Sequence, residues 1–432
     1  MRLVLNRSRA RREFVRRRPT TRVRRAKAAQ SEPAKVEAMP KFIAVDFFCG
    51  AGGTTRGLID AGGYVVAGID KELRCKRTYV ENNSNEYGDR EPPLFLARDV
   101  FPRTDAYPAG EQTELAAELA QGIEAARRRF PGVPLLFAIC APCQPFTTLS
   151  RNAMSDRRLE KRDRDSNLLC AALAFVAEHD PEFVLSENVA GISDPRFGGI
   201  WAEFRRDLGK LGFVTGSRTV CVSRFGVPQF RKRSILLASK RDLTAASHLA
   251  DLLRGELLVP EGDPDAPAVD VQSAIGHLPP LGAGETHATI PNHRTRSLSE
   301  LNLKRIGVAK PGETNRYMVD TVHGDLSLAC HQRIRAKGGG FNDVYGRMRP
   351  DSPSPTITTR CHSISNGRFG HYDVKQLRGI SLREAAALQS FGDDYVFHPT
   401  NMIEPVARMI GNAVPPRLAR FFADYLVGSL AR

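Results

Sequence analysis

Cys143 stands in Ala141-Pro-Cys-Gln-Pro-Phe-Thr147, between two prolines and just beyond the apolar run Val133 to Ile139. A short apolar run that opens into a Pro-bounded loop reads as a buried strand handing over to a site-bearing turn. The thiol there is a candidate nucleophile, because a thiolate is soft, adds to electron-poor carbon and can leave again. It would need a helix N-terminus or a nearby cation to raise its ionised fraction near neutral pH. Cys140-Ala-Pro-Cys143 also has the spacing of dithiol and zinc sites. Zinc would need two more ligands at paired spacing, whereas Cys49, Cys75, Cys170, Cys221, Cys330 and Cys361 are scattered singly. No metal is expected.

Three other groups could bind or orient a substrate. Gly50, Gly52 and Gly53 follow the apolar run Lys41 to Phe48, as in a tight turn that brings backbone close to a ligand at a helix N-terminus. Acids then close the next two apolar runs. Asp70 falls near the spacing at which such folds hydrogen-bond a ribose, Asp99 can accept from an adenine amino group, and Phe48 can stack on the adenine face. Gln229, Arg231 and Arg233 alternate at period two, so in extended chain they share one face and could hold base and phosphate oxygens.

The elements that must position these residues are legible as short apolar runs. Lys41–Phe48, Val65–Ile69, Leu94–Ala97, Leu135–Ile139, Phe183–Ser186 running into Glu187, and Ser234–Ala238 read as strands. Helical patterns separate them at Glu114–Arg129 and Leu168–Glu178, the second with Ser166 as its N-cap. Strands alternating with helices predict an α/β fold with a mostly parallel, doubly wound sheet. From 241 to 346 the chain becomes rich in Pro, Gly, His and Arg, with Gly338-Gly-Gly340 and weak periodicity, which predicts a smaller inserted domain. A helix at Ser381–Phe391 marks the return.

The net charge of +15 over 432 residues is uneven. Residues 1–38 hold 13 Lys and Arg against 3 acids, so the excess is mostly a basic N-terminal tail expected to be disordered and to hold phosphates without specificity. Eight cysteines without regular spacing fit a reducing cytoplasm, and no apolar run approaches the roughly 18–20 residues that span a bilayer. A soluble monomer of the bacterial cytoplasm or nucleoid is expected.

Asp46-Phe-Phe-Cys-Gly-Ala-Gly-Gly53, Pro142-Cys-Gln144, Ser186-Glu-Asn-Val189, Gln229-Phe-Arg-Lys-Arg233 and Gly411-Asn-Ala-Val-Pro-Pro416, in that order, resemble the cytosine-C5 DNA methyltransferase family. The likeness covers about residues 41–240 and 347–425. It implies a Rossmann-like adenosylmethionine-dependent methyltransferase sheet, with residues 39–240 and 347–432 catalytic and 241–346 recognising the target. S-Adenosyl-L-methionine would lie against Phe48, Gly50, Gly52, Gly53, Asp70, Asp99, Pro142, Asn412 and Ala413. Glu72 competes with Asp70 for the ribose, because the local spacing departs from the family's acid-apolar-Asp pattern. Cys143 would add to cytosine C6 and Glu187 would share a proton with N3, which a secluded site favours. Arg233 would touch the base, and Arg231 would support the Glu187 region and the backbone.

Double-stranded DNA is the implied substrate, with the target cytosine flipped out of the stack. Gln144, Thr147, Gln229, Arg294, Arg296, Arg333 and Arg335 are the implied contacts, with Lys337 beside them. Thr147 stands where the family usually has Ser, and Thr147–Asp165 matches its mobile catalytic loop. Restriction or phage-defence proteins are possible partners. Two rivals remain: a tRNA cytosine methyltransferase, whose Cys-Phe-Thr signature is missing here, and an inactive DNA-binding adaptor, which intact Cys143, Glu187, Arg231 and Arg233 oppose.

Overall fold

The computed structural model describes residues 38–88, 90–142, 167–193, 199–245, 250–251, 255–313, 315–328, 332 and 343–428. Its centre is a seven-stranded sheet: β1 (Phe42–Phe47), β2 (Gly63–Ile69), β3 (Leu94–Leu96), β4 (Leu135–Ile139), β5 (Phe183–Val189), β6 (Phe213–Cys221) and β7 (Lys232–Lys240). The spatial order is β3-β2-β1-β4-β5-β7-β6. All pairs from β3 to β5 are parallel, and β7 runs antiparallel to both β5 and β6. The order reverses between β1 and β4, which in open α/β sheets opens a ligand crevice at the carboxyl ends of those strands.

Side chains alternate across the central strands of this sheet. Ile43, Val45 and Phe47 of β1 join Leu135, Phe137 and Ile139 of β4 in one core, while Phe42, Ala44, Leu136 and Ala138 enter the opposite core. Burial on both faces is why these strands read as unbroken apolar runs. The first core is closed by α3 (Gln112–Arg129), whose Leu115, Leu119, Ile123 and Ala126 form one helical stripe, and by α4 (Leu168–His179) and α5 (Ile200–Lys210). The second is closed by α1 (Gly53–Asp60) and the C-terminal α10 (Pro416–Val427). Gly57 allows these two helices to touch, since a Cβ there would press into Ala419 at 2.6 Å.

Three details differ from expectation. β6 was not legible, because its central Thr-Gly-Ser-Arg-Thr carries no apolar alternation; β6 is a sheet edge held by β7. The N-cap of α4 is Asn167 without a side-chain capping bond, and Ser166 lies outside the described residues. The predicted Ser381–Phe391 helix is shorter, α8 (Leu382–Leu388), started by a capping box between Ser381 and Glu384.

A third core packs α6 (Val271–Ile275), α8 and α9 (Ile403–Asn412) against Ala51 and Cys75, which ties the returning chain to the glycine turn. A fourth, small core of Ile306, Met318, Leu326, Val344, Tyr345 and Ile364 includes α7 (Glu300–Val308). Among the described residues no helix is long and apolar enough to cross a membrane.

Candidate active site

The crevice at the strand ends is a cavity of about 540 Å³. Its first wall is the turn after β1. Phe48 adopts φ 62°, a left-handed conformation that a bulky side chain rarely takes, and lines the cavity. Gly50 and Gly53 line it as well, but Gly52 does not. Gly52 caps α1 at φ 90°, and a Cβ there would meet Tyr395 Oη at 2.9 Å and the Tyr79 ring at 3.1 Å. Its place is therefore a packing one, a correction to its assignment as a ligand contact. The N-terminus of α1 has no capping side chain, so its free amide groups and positive dipole end are available to an anionic or electron-rich ligand.

The two strand-end acids have different surroundings. Both Asp70 oxygens accept backbone amides, Oδ2 from Gly50 at 3.0 Å and Oδ1 from Glu72 at 2.8 Å. Burial nevertheless pushes this carboxyl above the ordinary aspartate range. Glu72 lines the same cavity with its side chain 54% exposed and 3.6 Å from Arg74 Nε. Asp99 is buried at the wall, with Oδ1 accepting from Phe101 N at 3.2 Å.

The third wall comes from β4 and β5. Ser186 donates to Ile139 O at 2.5 Å and Asn188 Nδ2 to Ala141 O at 3.1 Å, so residues on either side of Glu187 fix the exit of β4. Cys140, Ala141 and Pro142 then line the cavity. Burial, and after it the Glu187 charge, raises the Cys140 thiol far above its usual range, which makes it a poor nucleophile. Cys143, Gln144 and Thr147, with the loop to Asp165, lie outside the described residues, as do Arg333, Arg335, Lys337 and the basic tail.

Glu187 is 12% exposed and pairs with Arg233, Nε to Oε1 at 2.5 Å. The antiparallel register of β5 and β7 forces this meeting, since Val189 pairs with Arg233 and Glu187 with Ile235. Gln229, Arg231 and Arg233 are all buried while Phe230 and Lys232 between them are exposed. Arg233 makes this ion pair, and Arg231, on the same cavity, donates to Ile357 O at 3.1 Å and Gly411 O at 3.2 Å. Gln229 is fully buried, accepting from Ile357 N at 2.9 Å and donating to Gln389 Oε1 at 2.8 Å. With its amide committed inside, it is not a DNA contact.

Asn412 and Ala413, at the end of α9, complete the cavity opposite the glycine turn. Gly53 is required there, because any Cβ would collide with Val414 O. Glu404 and Arg408 of α9 also line the cavity and were missed; their one-turn spacing was the only signal. Arg296 is half-exposed at this rim, 3.6 Å from Glu404 and 3.3 Å from His362 Nδ1. Arg294 is half-buried, and its carbonyl accepts the Leu382 amide.

Sequence reasoning also passed over Asp46, an acid inside an apolar strand. It is fully buried, its Oδ2 accepts from Thr55 Oγ1 at 2.7 Å, its Oδ1 has no hydrogen-bond partner among the described residues, and burial pushes it up to about 7. Among the described residues no cluster of His, Cys, Asp and Glu could hold a metal ion.

Comparison with known proteins gives the same picture. The family model for C-5 cytosine-specific DNA methylase matches residues 121–427. The Type II methylase M.HgiDII of Herpetosiphon aurantiacus is 30% identical over 381 residues, 88% of this chain and 93% of that protein. A prophage-encoded E. coli chain solved as a DNA modification methyltransferase shares the fold at TM-score 0.61 with 19% identity, covering 90% of this chain and 100% of that one. The S. pombe Dnmt2 methyltransferase superposes at TM-score 0.50 with 16% identity over 90% and 99% of the two chains. The chain belongs to the C-5 cytosine-specific DNA methylase family, the DNA (cytosine-5-)-methyltransferases.

Proposed function

We propose that the protein methylates C5 of a flipped-out cytosine in a specific duplex DNA sequence, through a covalent bond between Cys143 Sγ and C6 of the base. The observation that carries the reading is one cavity lined by Phe48, Asp99, Pro142, Asn412 and the Glu187–Arg233 pair. It brings an adenosine-shaped wall, the entry to the Cys143 loop and a buried acid–base pair to the same space.

The residues fit S-adenosyl-L-methionine. Phe48 offers a ring face to adenine, Asp99 an acceptor for its amino group, and the uncapped start of α1 a polar end for the amino-acid portion. Glu72 is assigned the ribose hydroxyls and Asp70 the pinning of the Gly50 turn, because both Asp70 oxygens already accept backbone amides. When bound, the cofactor supplies an electrophilic methyl group.

Cytosine C5 is a weak nucleophile until something adds at C6. The Cys143 thiolate forms the Sγ–C6 bond, and the displaced π electrons make C5 electron-rich while Glu187 shares its proton with N3. Arg233 holds the Glu187 carboxyl in place and points donors toward the base oxygen. After C5 is methylated, a water molecule takes its proton, Glu187 regains the proton shared with N3, the C5–C6 double bond re-forms and Cys143 leaves as thiolate. Residues 39–240 and 347–432 carry this chemistry and 241–346 the choice of sequence, with Arg294 and Arg296 among its DNA contacts. The Type II relatives support a place beside a restriction or defence system in the cytoplasm; a monomeric state belongs to the same proposal without support from them.

Bisulfite sequencing of DNA from a host expressing the protein tests the reading. New 5-methylcytosine confined to one sequence motif is expected, and unmethylated DNA beside methylated tRNA would overturn it.

A further inference from the structure

Behind the glycine turn lies a carboxyl that the proposed chemistry does not use. Asp46 points from β1 toward α1, on the side of the sheet where Phe42, Ala44, Ala138 and Cys140 pack. It is fully buried and stands outside the cavity, one layer beneath Thr54 and Cys140, which line it. Its Oδ2 accepts from Thr55 Oγ1 at 2.7 Å, and that hydroxyl also lies 3.2 Å from Tyr79 Oη. Its Oδ1 is buried with no hydrogen-bond partner among the described residues. The titratable groups set around it are Cys49 and Asp70 at the strand ends, Cys140 after β4, Tyr79, and Tyr395 of the returning chain. All are neutral or acidic, and Arg56 of α1 is paired outward with Asp60 at 2.5 Å. A carboxylate at this place would have donors from Thr55 alone, so burial pushes Asp46 up to about 7.

We infer that Asp46 is a specificity-determining residue that tells the methyl donor from the spent cofactor: its carboxyl releases a proton to solvent when a sulfonium cation fills the cavity, and takes one back when methyl transfer leaves a neutral thioether. The inference rests on the proposed cofactor cavity. Donor and product differ by one methyl group and one positive charge, and a methyl group alone gives a pocket only weak discrimination. The charge is the larger handle. In surroundings poor in water, a cation across one layer of side chain favours the ionised form of a buried carboxyl. Asp46 is divided about evenly between its two forms near neutral pH, so a modest field moves its proton. Once the sulfur is neutral the carboxylate is again the costly form, and the cavity loses this hold on its occupant. By linkage, preference for the donor rises with pH until the empty protein has itself lost the proton, near 7, and levels off above.

The test uses the full chain with S-adenosylmethionine and with S-adenosylhomocysteine, each titrated by calorimetry near pH 7 in Pipes and in Tris. The different ionisation enthalpies of the two buffers yield the protons released per ligand bound. The count for the donor minus that for the product is compared between wild type and Asp46→Asn, so that the ligands' own amino groups cancel. This difference is expected to be about 0.5 proton larger in the wild type, as for a group half ionised at this pH. A role in packing alone would change both affinities and leave the proton counts as they are. Thr55→Val removes a donor to the carboxylate, so it should move the pH at which the donor preference levels off upward, even if Asp46→Asn fails to fold. Equal count differences in wild type and Asp46→Asn, or an unmoved plateau in Thr55→Val, overturns the role of Asp46 alone. A wild type that binds neither ligand overturns the cofactor reading beneath it.

Discussion

The inner strands of the sheet and the irregular C-terminal part of the chain use their charged residues in opposite ways. On β5 and β7 the backbone is satisfied by strand ladders on both sides, so Glu187 and Arg233 meet each other at a cavity wall. Beyond residue 300 little of the chain is in strands or long helices, and its buried arginines collect backbone carbonyls instead. Arg347, fully buried, donates to the carbonyls of Ile306, His371, Asp373, Gln376 and Val374. Arg383 does the same for Gly392, Asp393 and Tyr395, while Arg378 forks onto Glu384. A guanidinium with five donors in fixed geometry is suited to this, because loop carbonyls without ladder partners must be paired when buried. A basic composition in such a region is thus partly internal architecture, not all nucleic-acid surface.

If that contrast holds, substitutions in the two regions separate activity from stability. The largest effect is on rate: Glu187→Gln should lower methylation by about 10² to 10⁴-fold in a tritium-transfer assay, far beyond what any accompanying fall in the urea midpoint explains. A variant that retains near-wild-type turnover would remove Glu187 from the chemistry. Arg347→Met should do the reverse, lowering unfolding free energy by about 3 kcal/mol or more, since several buried carbonyls lose partners at about 1–3 kcal/mol each. Arg296→Ala, half-exposed at the rim, should cost less than about 1 kcal/mol in the same urea titration. Equal costs would break the comparison.

A smaller pair of effects carries opposite signs with pH. Asp46 is raised from 3.8 to about 7 by burial, so the folded chain keeps a proton that the unfolded chain has lost, and stability falls as pH rises between those values. His371 is lowered from 6.5 to about 4, chiefly by burial, so the unfolded chain gains a proton first and stability falls as pH falls through that window. Asp46→Asn should flatten the first slope and His371→Gln the second, by on the order of 1–3 kcal/mol between pH 4 and 7. Urea midpoints at several pH values read both, and parallel curves for wild type and variants would sink the assignment.

What was legible follows from how each region is built. Parallel strands buried on both faces must be apolar and must end in turns, so β1, β2, β4 and β5 and the acids behind them could be placed from residue types alone. Glu72 and Asp70 could not be separated, because the answer lies in which oxygens accept the Gly50 and Glu72 amides. The error at Gln229 has the same origin: period two predicts a shared face correctly, but that face turns inward against Gln389 and Ile357. β6 escaped because an edge strand needs no apolar alternation. In 241–346 the contacts are non-local, and Arg294 is tied to Leu382 through its own carbonyl, a relation no local pattern encodes.

The central claim is that the loop entered through Pro142 presents Cys143 to a base lodged beside Glu187 and Arg233. Duplex DNA carrying 5-fluorocytosine at the target tests it, because fluorine at C5 cannot depart as a proton and the Sγ–C6 bond persists. Incubation with S-adenosylmethionine followed by peptide mapping should yield one adduct, on Cys143, that disappears in Cys143→Ala together with methylation of ordinary DNA. An adduct on Cys140, or methylation by the Cys143→Ala protein, would contradict the account.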